Sequence, residues 1–315
     1  MDIYSIGEMV IDFIPGQGEG EYIRNAGGAP ANVAIAVAHN GLEAGMCCKV
    51  GDDDFGRFLI STLKNEKVEV LCEELCGEAT TTMAFVSLKE GGERSFTFAR
   101  KPGADMFLRK EDVKEADIER TTVVHAGSCS LSAETVASAT KRAMELAHGL
   151  GKIVSFDINY RDLMWNGEKS KCAAAVSELL PLIDLLKVSE EEIDMVGGEE
   201  SLAKLVAEGK LAVAIETLGS KGAKLFFGGK VLSVEGIKAK AIDATGAGDA
   251  FWGGFLSSLL IQGVKNVSDI DEAKLLYAMK YGNVSGALCV QKKGAIASLP
   301  TRKEIETILE NESHE

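Results

Sequence analysis

The sequence predicts an α/β protein whose central sheet is mainly parallel and covered by helices on both faces. From residue 121 onward, short apolar runs typical of strands alternate with longer runs of helical periodicity, which is the pattern of βαβ units. The chain has 315 residues, of which 46% are hydrophobic, so it can bury a substantial core. No repeat, linker or low-complexity tract divides the sequence, and we expect a single domain over residues 1–315.

The N-terminal part contains a less regular set of elements. Residues 3–13 predict a buried strand that is interrupted by Gly7 and Glu8. A helix at 33–39 follows a glycine turn and is closed by Gly41, a residue that suits a helix C-terminus. The other elements predicted here are a strand at 46–50, a helix at 55–64, and strands at 80–88 and 94–99 that form a hairpin around the glycine turn at 89–93.

The C-terminal part is regular enough for each element to be assigned from its periodicity. Apolar runs bounded by turn residues predict strands at 122–127, 153–157, 182–188, 211–216, 223–227 and 231–234. Longer runs predict helices at 133–148, 168–180, 251–261 and 278–288. Strands that alternate with helices in this way form a parallel sheet whose two faces are both buried.

The composition excludes several classes of function. A formal net charge of −14 argues against nucleic-acid and acidic-membrane partners, which require a basic surface. The seven cysteines include no Cys-x-x-Cys pair and the four histidines have no metal-ligand spacing, so we expect reduced structural thiols and no zinc site. The N-terminus carries no targeting signal and no apolar run is long enough to span a bilayer, so we expect a cytoplasmic protein.

Polar residues collect where the predicted strands end. In open parallel sheets, ligands bind beyond the carboxyl ends of the strands, so side chains at these positions share one rim of the sheet. Five separate clusters on one rim favour a binding site over ordinary solvated loops. The clusters are Asp12, 157–161, 189–192, 217–222 and Asp243.

The stretch 243–251 has the composition of an anion-binding turn. Asp243 and Asp249 bracket Gly246-Ala247-Gly248, and the turn opens directly into the apolar run 251–261. Glycines let several N–H groups converge on one point, and a helix N-terminus adds unpaired donors and a partial positive charge. Asp249 is then either an acidic cap of the helix or a base that deprotonates an attacking hydroxyl. The second interpretation predicts phosphoryl transfer.

Two other nucleotide-binding patterns do not fit the sequence. A Rossmann fingerprint needs Gly-x-Gly-x-x-Gly after an early strand, but no second glycine follows Gly7 at that spacing, and Phe251 stands where the turn at Gly246 would need its third glycine. A Walker-type loop needs Gly-Lys-Ser/Thr, whereas pairs such as Gly151-Lys152 are followed by apolar residues. Both classes are therefore disfavoured.

Two separated motifs resemble those of the ribokinase-like (phosphofructokinase-B) family of sugar kinases, over essentially the whole chain. Residues 27–34 are similar to the N-terminal motif of the family, and residues 243–251 to its C-terminal motif. Residues 94–106 are closest to the fructokinases. The resemblance implies the ribokinase-like fold with a small β lid, formed by residues 13–25 and 77–102, that covers the sugar and forms the contact of a homodimer.

By this resemblance the chain is an ATP-dependent kinase that phosphorylates the primary hydroxyl of D-fructose to give fructose 6-phosphate. Asp249 would be the base, Gly246, Ala247 and Gly248 would be the anion hole, and Arg161 would reach the sugar or the transferring phosphate. A base and N–H donors suffice for such a reaction, because positioning and charge neutralisation supply most of the catalysis. The residues implied to bind the sugar are Asp12, Gly27, Gly28, Asn32, Phe98, Arg161 and Asp249.

The resemblance also implies a nucleotide site with its metal ions. The residues implied to bind ATP are Lys187, Ser189, Thr217, Gly219, Gly222, Gly246, Gly248 and Asn283. Magnesium is expected because the charge of the ATP phosphates must be neutralised, with Glu192 holding the ion through water. Ser189 replaces the asparagine of the family's Asn-x-x-Glu motif. A monovalent cation such as K⁺ is implied at Asp243, Thr245, Cys289, Lys292, Gly294 and Ser298.

Alternatives remain at the level of the substrate. Fold alone does not separate a fructose kinase from a kinase for 2-keto-3-deoxygluconate, ribose or a nucleoside. A sugar- or nucleotide-binding regulator of the same fold is the alternative outside the enzymes, and the presence of Asp249 disfavours it.

Overall fold

A nine-stranded sheet forms the centre of the computed structural model, which describes residues 1–16, 18, 20–88 and 94–312. Its strands are β1 (Ile3–Ile6), β4 (Ala44–Cys47), β5 (Val68–Val70), β8 (Val123–Gly127), β9 (Ile153–Asp157), β10 (Leu185–Ser189), β11 (Val213–Thr217), β12 (Gly222–Phe227) and β13 (Lys230–Glu235). They lie in the order β13-β12-β11-β10-β9-β8-β1-β4-β5. All pairs from β11 to β5 are parallel, and β12 and β13 extend one edge in antiparallel pairing. The predicted fold class is confirmed.

A second, four-stranded sheet stands apart from the central one. It contains β2 (Val10–Pro15), β3 (Tyr22–Gly27), β6 (Met83–Leu88) and β7 (Arg94–Ala99), in the order β3-β2-β6-β7. The predicted hairpin is present as the antiparallel pair β6 and β7, although β6 begins at Met83 rather than at residue 80. The predicted glycine turn at 89–93 lies outside the described residues.

The first predicted strand was wrong in one respect. The sequence predicted one interrupted strand over residues 3–13, whereas β1 and β2 belong to different sheets. Gly7 has a φ of 148°, and a Cβ there would lie 2.7 Å from Cγ of Pro30, so only glycine fits where the chain leaves the central sheet. Asp12 therefore belongs to the small sheet and not to the end of a central strand.

Helices cover both faces of the central sheet. They are α1 (Ala29–His39), α2 (Asp54–Asn65), α3 (Glu115–Glu119), α4 (Glu134–Gly149), α5 (Lys169–Leu179), α6 (Gly198–Ala207), α7 (Ala247–Ile261), α8 (Glu272–Cys289) and α9 (Arg302–Glu312). Side chains of α1, α2, α7 and α8 pack into one core cluster, and side chains of α4, α5 and α6 into the other. None of the described helices combines the length and the apolar character needed to cross a membrane.

Several elements begin or end elsewhere than the sequence predicted. Helix α7 begins at Ala247, four residues before its predicted start, so the Gly-Ala-Gly turn is part of the helix N-terminus. Helix α1 begins at Ala29, which places Asn32 in its first turn. Strand β5 and helices α3, α6 and α9 were not predicted. The early starts matter for function because they bring two helix N-termini to the same end of the molecule.

Candidate active site

A cavity of about 620 Å³ lies at the carboxyl ends of the central strands, between them and the small sheet. Ser189 and Thr217, the last residues of β10 and β11, line the cavity, and the neighbouring strand β9 ends at Asp157. The sequence-predicted site residues that line the cavity are Asp12, Gly28, Asn32, Phe98, Arg161, Lys187, Ser189, Glu192, Thr217, Thr245, Gly246, Gly248 and Asp249. Four of the five predicted clusters thus contribute to one cavity, Asp243 is not among its lining residues, and the small sheet contributes Asp12 and Phe98.

Asp249 is held at the floor of the cavity by two amide side chains. Asn32 Nδ2 donates to Oδ2 of Asp249 at 2.7 Å, and Asn159 Nδ2 donates to Oδ1 at 2.9 Å. The three residues are buried, and Asn159 has a left-handed φ of 40°, which aims its amide back toward α7. Each carboxylate oxygen thus has one fixed donor, so the orientation of Asp249 is set before any substrate binds.

The turn in front of α7 provides N–H donors. Gly246, the residue that precedes the helix, has a left-handed φ of 78°, and a Cβ there would lie 2.9 Å from Cβ of Ala295. The Ala247 N–H already donates to the carbonyl of Ala244 at 3.2 Å. The N–H groups of Gly246 and Gly248 have no acceptor among the described residues. Two of the three predicted donors are therefore available to an anion.

A buried lysine lies beside this turn. A Cβ on Gly248 would lie 3.5 Å from Nζ of Lys187, so the ammonium group borders the anion-binding turn. Lys187 is paired with Asp157 at 2.8 Å. Burial lowers the pKa of Lys187, but the charges of Asp157 and Glu192 outweigh it and the pKa is raised overall. The lysine is therefore a permanent cation at the bottom of the cavity.

The carboxylates around the cavity differ in their surroundings. Burial raises the pKa of Asp12 to about 6, against the lowering effect of Arg161. Burial raises the pKa of Asp157 to about 6 as well, although the charge of Lys187 opposes it. Glu192 is anchored by two backbone donors, the N–H of Tyr160 at 2.7 Å and that of Ser189 at 2.9 Å. Its carboxylate therefore has a fixed position despite the absence of the family's asparagine.

Oxygen ligands for a hard cation are present at the ends of β9 and β10. Oδ1 of Asp157 is buried and has no hydrogen-bond partner among the described residues. Glu192 lies close enough to raise the pKa of Asp157 through its charge. An unpartnered carboxylate oxygen beside a second carboxylate fits the donor set that Mg²⁺ prefers, since this ion binds through a few carboxylates and keeps several waters.

The loop after α8 has a polar interior that fits a monovalent cation. Asp243 accepts hydrogen bonds from the N–H and hydroxyl of Thr245 and from the N–H of Gly294. Oγ of Ser298 is buried and has no partner among the described residues, which leaves one oxygen turned toward a ligand. Lys292 reaches Glu304 at 3.4 Å, so only its carbonyl oxygen is suited to a cation.

Comparison with known proteins decides the family. The family model described as pfkB family carbohydrate kinase matches residues 1–302. The chain belongs to this family. Fructokinase-1 of Zea mays is 37% identical over 319 residues, an alignment that covers 98% of this chain and 97% of the relative. The crystal structure of a Vibrio cholerae O395 fructokinase with fructose, ADP and calcium ion bound has 36% identity, a TM-score of 0.87 and 98% coverage of both chains.

A further solved structure shows how closely this pfkB chain keeps the fold of its relatives. The crystal structure of fructokinase with bound ATP from Xylella fastidiosa is 29% identical in sequence, with a TM-score of 0.91 and 99% coverage of both chains. The agreement extends over the whole chain, so the small sheet and the central sheet both belong to the shared architecture.

Some predicted site residues of this pfkB kinase lie away from the cavity wall. Gly27 supports the wall from behind, because a Cβ there would lie 2.2 Å from Oδ2 of Asp12. Gly222 lets β12 approach β13 closely, since its Cβ would lie 2.1 Å from the carbonyl oxygen of Val234. Asn283 donates to the carbonyl of Glu235 at 2.9 Å and so fastens the end of β13 to α8. Gly219 is open, with nothing within 4 Å of a Cβ.

Three residues in or next to the cavity were missed from the sequence: Asn159 and Glu8 line it, and Asp157 pairs with the lining residue Lys187. Asn159 and Asp157 belong to a cluster that was recognised at a strand end, but only Arg161 was selected from it. The Asp-x-Asn pattern directly after a strand was the available signal. Glu8 lines the cavity and is buried, and its signal was a carboxylate inside an otherwise apolar N-terminal stretch.

Proposed function

We propose that this pfkB kinase transfers the terminal phosphoryl group of ATP to the primary hydroxyl of D-fructose, giving fructose 6-phosphate. The observation that carries the proposal is the position of Asp249. It lies in the first turn of α7 beside the free N–H groups of the anion-binding turn, and it contacts Asn32 of α1 on the other side. One carboxylate thus borders a site for phosphate and a site for a polyol.

Asp249 acts as the general base. Its two oxygens each accept one amide N–H, which leaves further acceptor capacity on a carboxylate that lines the cavity. A hydroxyl hydrogen-bonded there loses its proton to the carboxylate as the oxygen attacks phosphorus. Because Asn32 and Asn159 fix the carboxylate, no reorganisation is needed at the moment of reaction.

The anion-binding turn and Lys187 act on the transferred group. ATP supplies the phosphoryl group and Mg²⁺ neutralises its charge when both are bound. The N–H groups of Gly246 and Gly248 and the ammonium of Lys187 converge on the region next to Asp249, where charge develops on the equatorial oxygens. Asp157 and Glu192 would hold the magnesium ion, and the latter would do so through water. Thr217 and Gly219 would border the nucleotide phosphates, with Asn283 near the adenine.

The sugar is held by residues of two sheets and one helix. The Oδ1 atom of Asn32 is buried without a partner among the described residues, so it is free to accept from a sugar hydroxyl. Asp12 and Phe98 reach the cavity from the small sheet, and Arg161 lines it from the segment after β9. Gly28 also lines the cavity, and the lack of a side chain there lets the backbone of Glu8 approach, because a Cβ would lie 2.4 Å from the Glu8 carbonyl oxygen.

The small sheet acts as a lid and as the contact of a homodimer in this proposal. Asp12 and Phe98 lie on its cavity face. Ile14 and Ile23, which are paired across β2 and β3, continue that face beyond the cavity. Ile23 is 54% exposed and lies on an edge strand, which is the arrangement that a second copy would cover.

The direct test is a coupled assay of ADP release with purified protein and a panel of acceptors: D-fructose, ribose, 2-keto-3-deoxygluconate and adenosine. We expect fructose to have the highest kcat/KM. Turnover of ribose or adenosine without turnover of fructose would contradict the assignment of fructose as the substrate, while the assignment as a kinase would stand. If calorimetry shows that fructose binds but no acceptor leads to release of ADP, the protein is not a kinase for these substrates, and a sugar-binding regulator is favoured.

A further inference from the structure

Glu8 is a buried carboxyl group in the wall of the cavity, at the point where the chain passes from β1 to β2. Its side chain is 4% exposed. Oε1 accepts the N–H of Ala29, the first residue of α1, at 3.3 Å. Oε2 is buried and has no hydrogen-bond partner among the described residues. Half of the acceptor capacity of this carboxyl group is therefore unused beside the cavity.

The neighbouring cation does not satisfy Glu8. Arg100 donates from Nε and Nη2 to Asp105 at 2.9 and 2.7 Å and from Nη1 to Ser132 at 3.0 Å. Three of its five N–H donors are thus used by other acceptors, and no hydrogen bond joins Arg100 to Glu8 among the described residues. Buried polar atoms in folded proteins almost always have a partner, and a buried acceptor without one is costly. The position of Glu8 in the wall makes a ligand that enters the cavity the natural partner for Oε2.

Glu8 and Asp249 are fastened to neighbouring positions of the same helix. Glu8 is fastened to Ala29, and Asp249 to Asn32, three residues further along α1. Three residues of helix correspond to about 4.5 Å along its axis. A sugar whose reacting hydroxyl lies at Asp249 carries further hydroxyls at separations of this order, and one of them is the candidate partner of Glu8.

We propose that Glu8 accepts a hydrogen bond from a hydroxyl of the bound sugar other than the one that is phosphorylated, and that it selects for polyhydroxylated substrates in this way. The inference rests on the proposed function, because it takes Asp249 as the position of the reacting hydroxyl. It assigns Glu8 to substrate recognition and leaves proton abstraction to Asp249.

The protonation of Glu8 gives this contact a pH dependence. Burial raises the pKa of Glu8 to about 7; the backbone N–H of Glu8 itself opposes the increase, the charge of Asp105 adds to it, and Arg100 and the Ala29 N–H oppose it further. Cys129 also faces the group, and its own pKa is raised. The carboxylate, which is the stronger acceptor, predominates only above about pH 7. Sugar binding through Glu8 should therefore weaken as the pH falls from 8 to 6.

The decisive experiment combines Glu8→Gln with a set of monodeoxy analogues of fructose. In this variant the amide oxygen must stay on the Ala29 N–H, so the NH₂ group replaces Oε2 and presents a donor to the sugar. We expect KM and the calorimetric Kd for fructose to rise about tenfold, while KM for ATP stays unchanged. For the one analogue that lacks the contacted hydroxyl, wild type and variant should differ less than about twofold.

Measuring KM for fructose as a function of pH distinguishes a contact between Glu8 and the sugar from a purely structural role of Glu8. The fructose KM of the wild type should rise between pH 8 and 6.5, and Glu8→Gln should remove this rise. Asp12, whose pKa lies at about 6, accounts for what remains at lower pH. Glu178→Gln, an exposed change on α5, is the matched control and should leave all values unchanged.

The outcomes distinguish the two proposals. If Glu8→Gln weakens the binding of fructose and of every deoxy analogue equally and leaves the pH dependence of KM unaltered, Glu8 does not contact a sugar hydroxyl. The proposed kinase activity would not be affected by that result. Absence of phosphorylation in the wild type would overturn the proposed function, and the binding series would still test Glu8. If Glu8→Gln unfolds, Glu8→Asp keeps the charge and shortens the reach, and the same loss pattern across the analogues is expected.

Discussion

Asp249 offers the most direct test at the scale of single residues. We expect Asp249→Asn to lower kcat roughly 10²- to 10⁴-fold, since an amide cannot take the proton of the hydroxyl. Only one of the two amide contacts survives, because asparagine has a single acceptor oxygen for Asn32 and Asn159. Steady-state kinetics with Asp54→Asn, an exposed acid far from the cavity, provide the control. A kcat within threefold of wild type would remove Asp249 from the mechanism.

Two substitutions of Asn159 distinguish the contribution of its amide hydrogen bond to activity from the contribution of its backbone conformation to stability. Asn159→Gly and Asn159→Ala both remove the donor to Oδ1 of Asp249, so both should lower kcat/KM about tenfold or more. Only glycine tolerates the φ of 40° without strain, so alanine should also cost about 1 kcal/mol of unfolding free energy relative to glycine. Urea unfolding measures the second difference. If the glycine and alanine variants had similar stabilities but unequal activities, the two roles assigned to Asn159 would be contradicted.

The sequence located the residues with a strong local signature and missed those defined by their neighbours. Asp249 could be predicted because two glycines and a helix run directly adjoin it. Asn159 could not, because its role depends on a left-handed backbone angle and on a carboxylate 90 positions away in sequence. The unpartnered oxygen of Glu8 could not be predicted either, because it depends on Arg100 donating to Asp105 and Ser132 in the folded structure.

Glycines on α7 test the packing of elements. A Cβ at Gly254 would lie 2.8 Å from Cβ of Ser285 on α8, so Gly254→Ala should destabilise the fold by about 1–3 kcal/mol through overpacking. Gly149 at the end of α4 is the matched control, because nothing lies within 4 Å of its Cβ. Gly149→Ala should be neutral or stabilising by up to about 1 kcal/mol. Denaturant unfolding of both variants checks the opposite signs, and equal effects would contradict the close packing of α7 on α8.

Elements were predictable where one periodicity persisted and not where the chain changed sheets. Strand β9 was predicted with the bounds it has, because a short apolar run, interrupted only by Ser155, ends at a polar cluster. The separation of β1 from β2 was missed, since apolar residues continue across Gly7 and alternation alone does not show which sheet a strand joins. The short strand β5 has three residues, too few for a period to be recognised.

The assembly is the feature to test at the scale of the whole molecule. With a formal charge of −14, two copies repel each other, so a dimer must bury apolar surface to form and should tighten with added salt. We expect sedimentation velocity to show a dimer for the wild type and a monomer for Ile23→Lys, because a lysine there places a charge on the exposed edge strand β3. Val231→Lys introduces the same change at a half-exposed position on β13, the edge of the central sheet, and should remain dimeric. A monomeric wild type, or dissociation by Val231→Lys alone, would place the contact away from the small sheet.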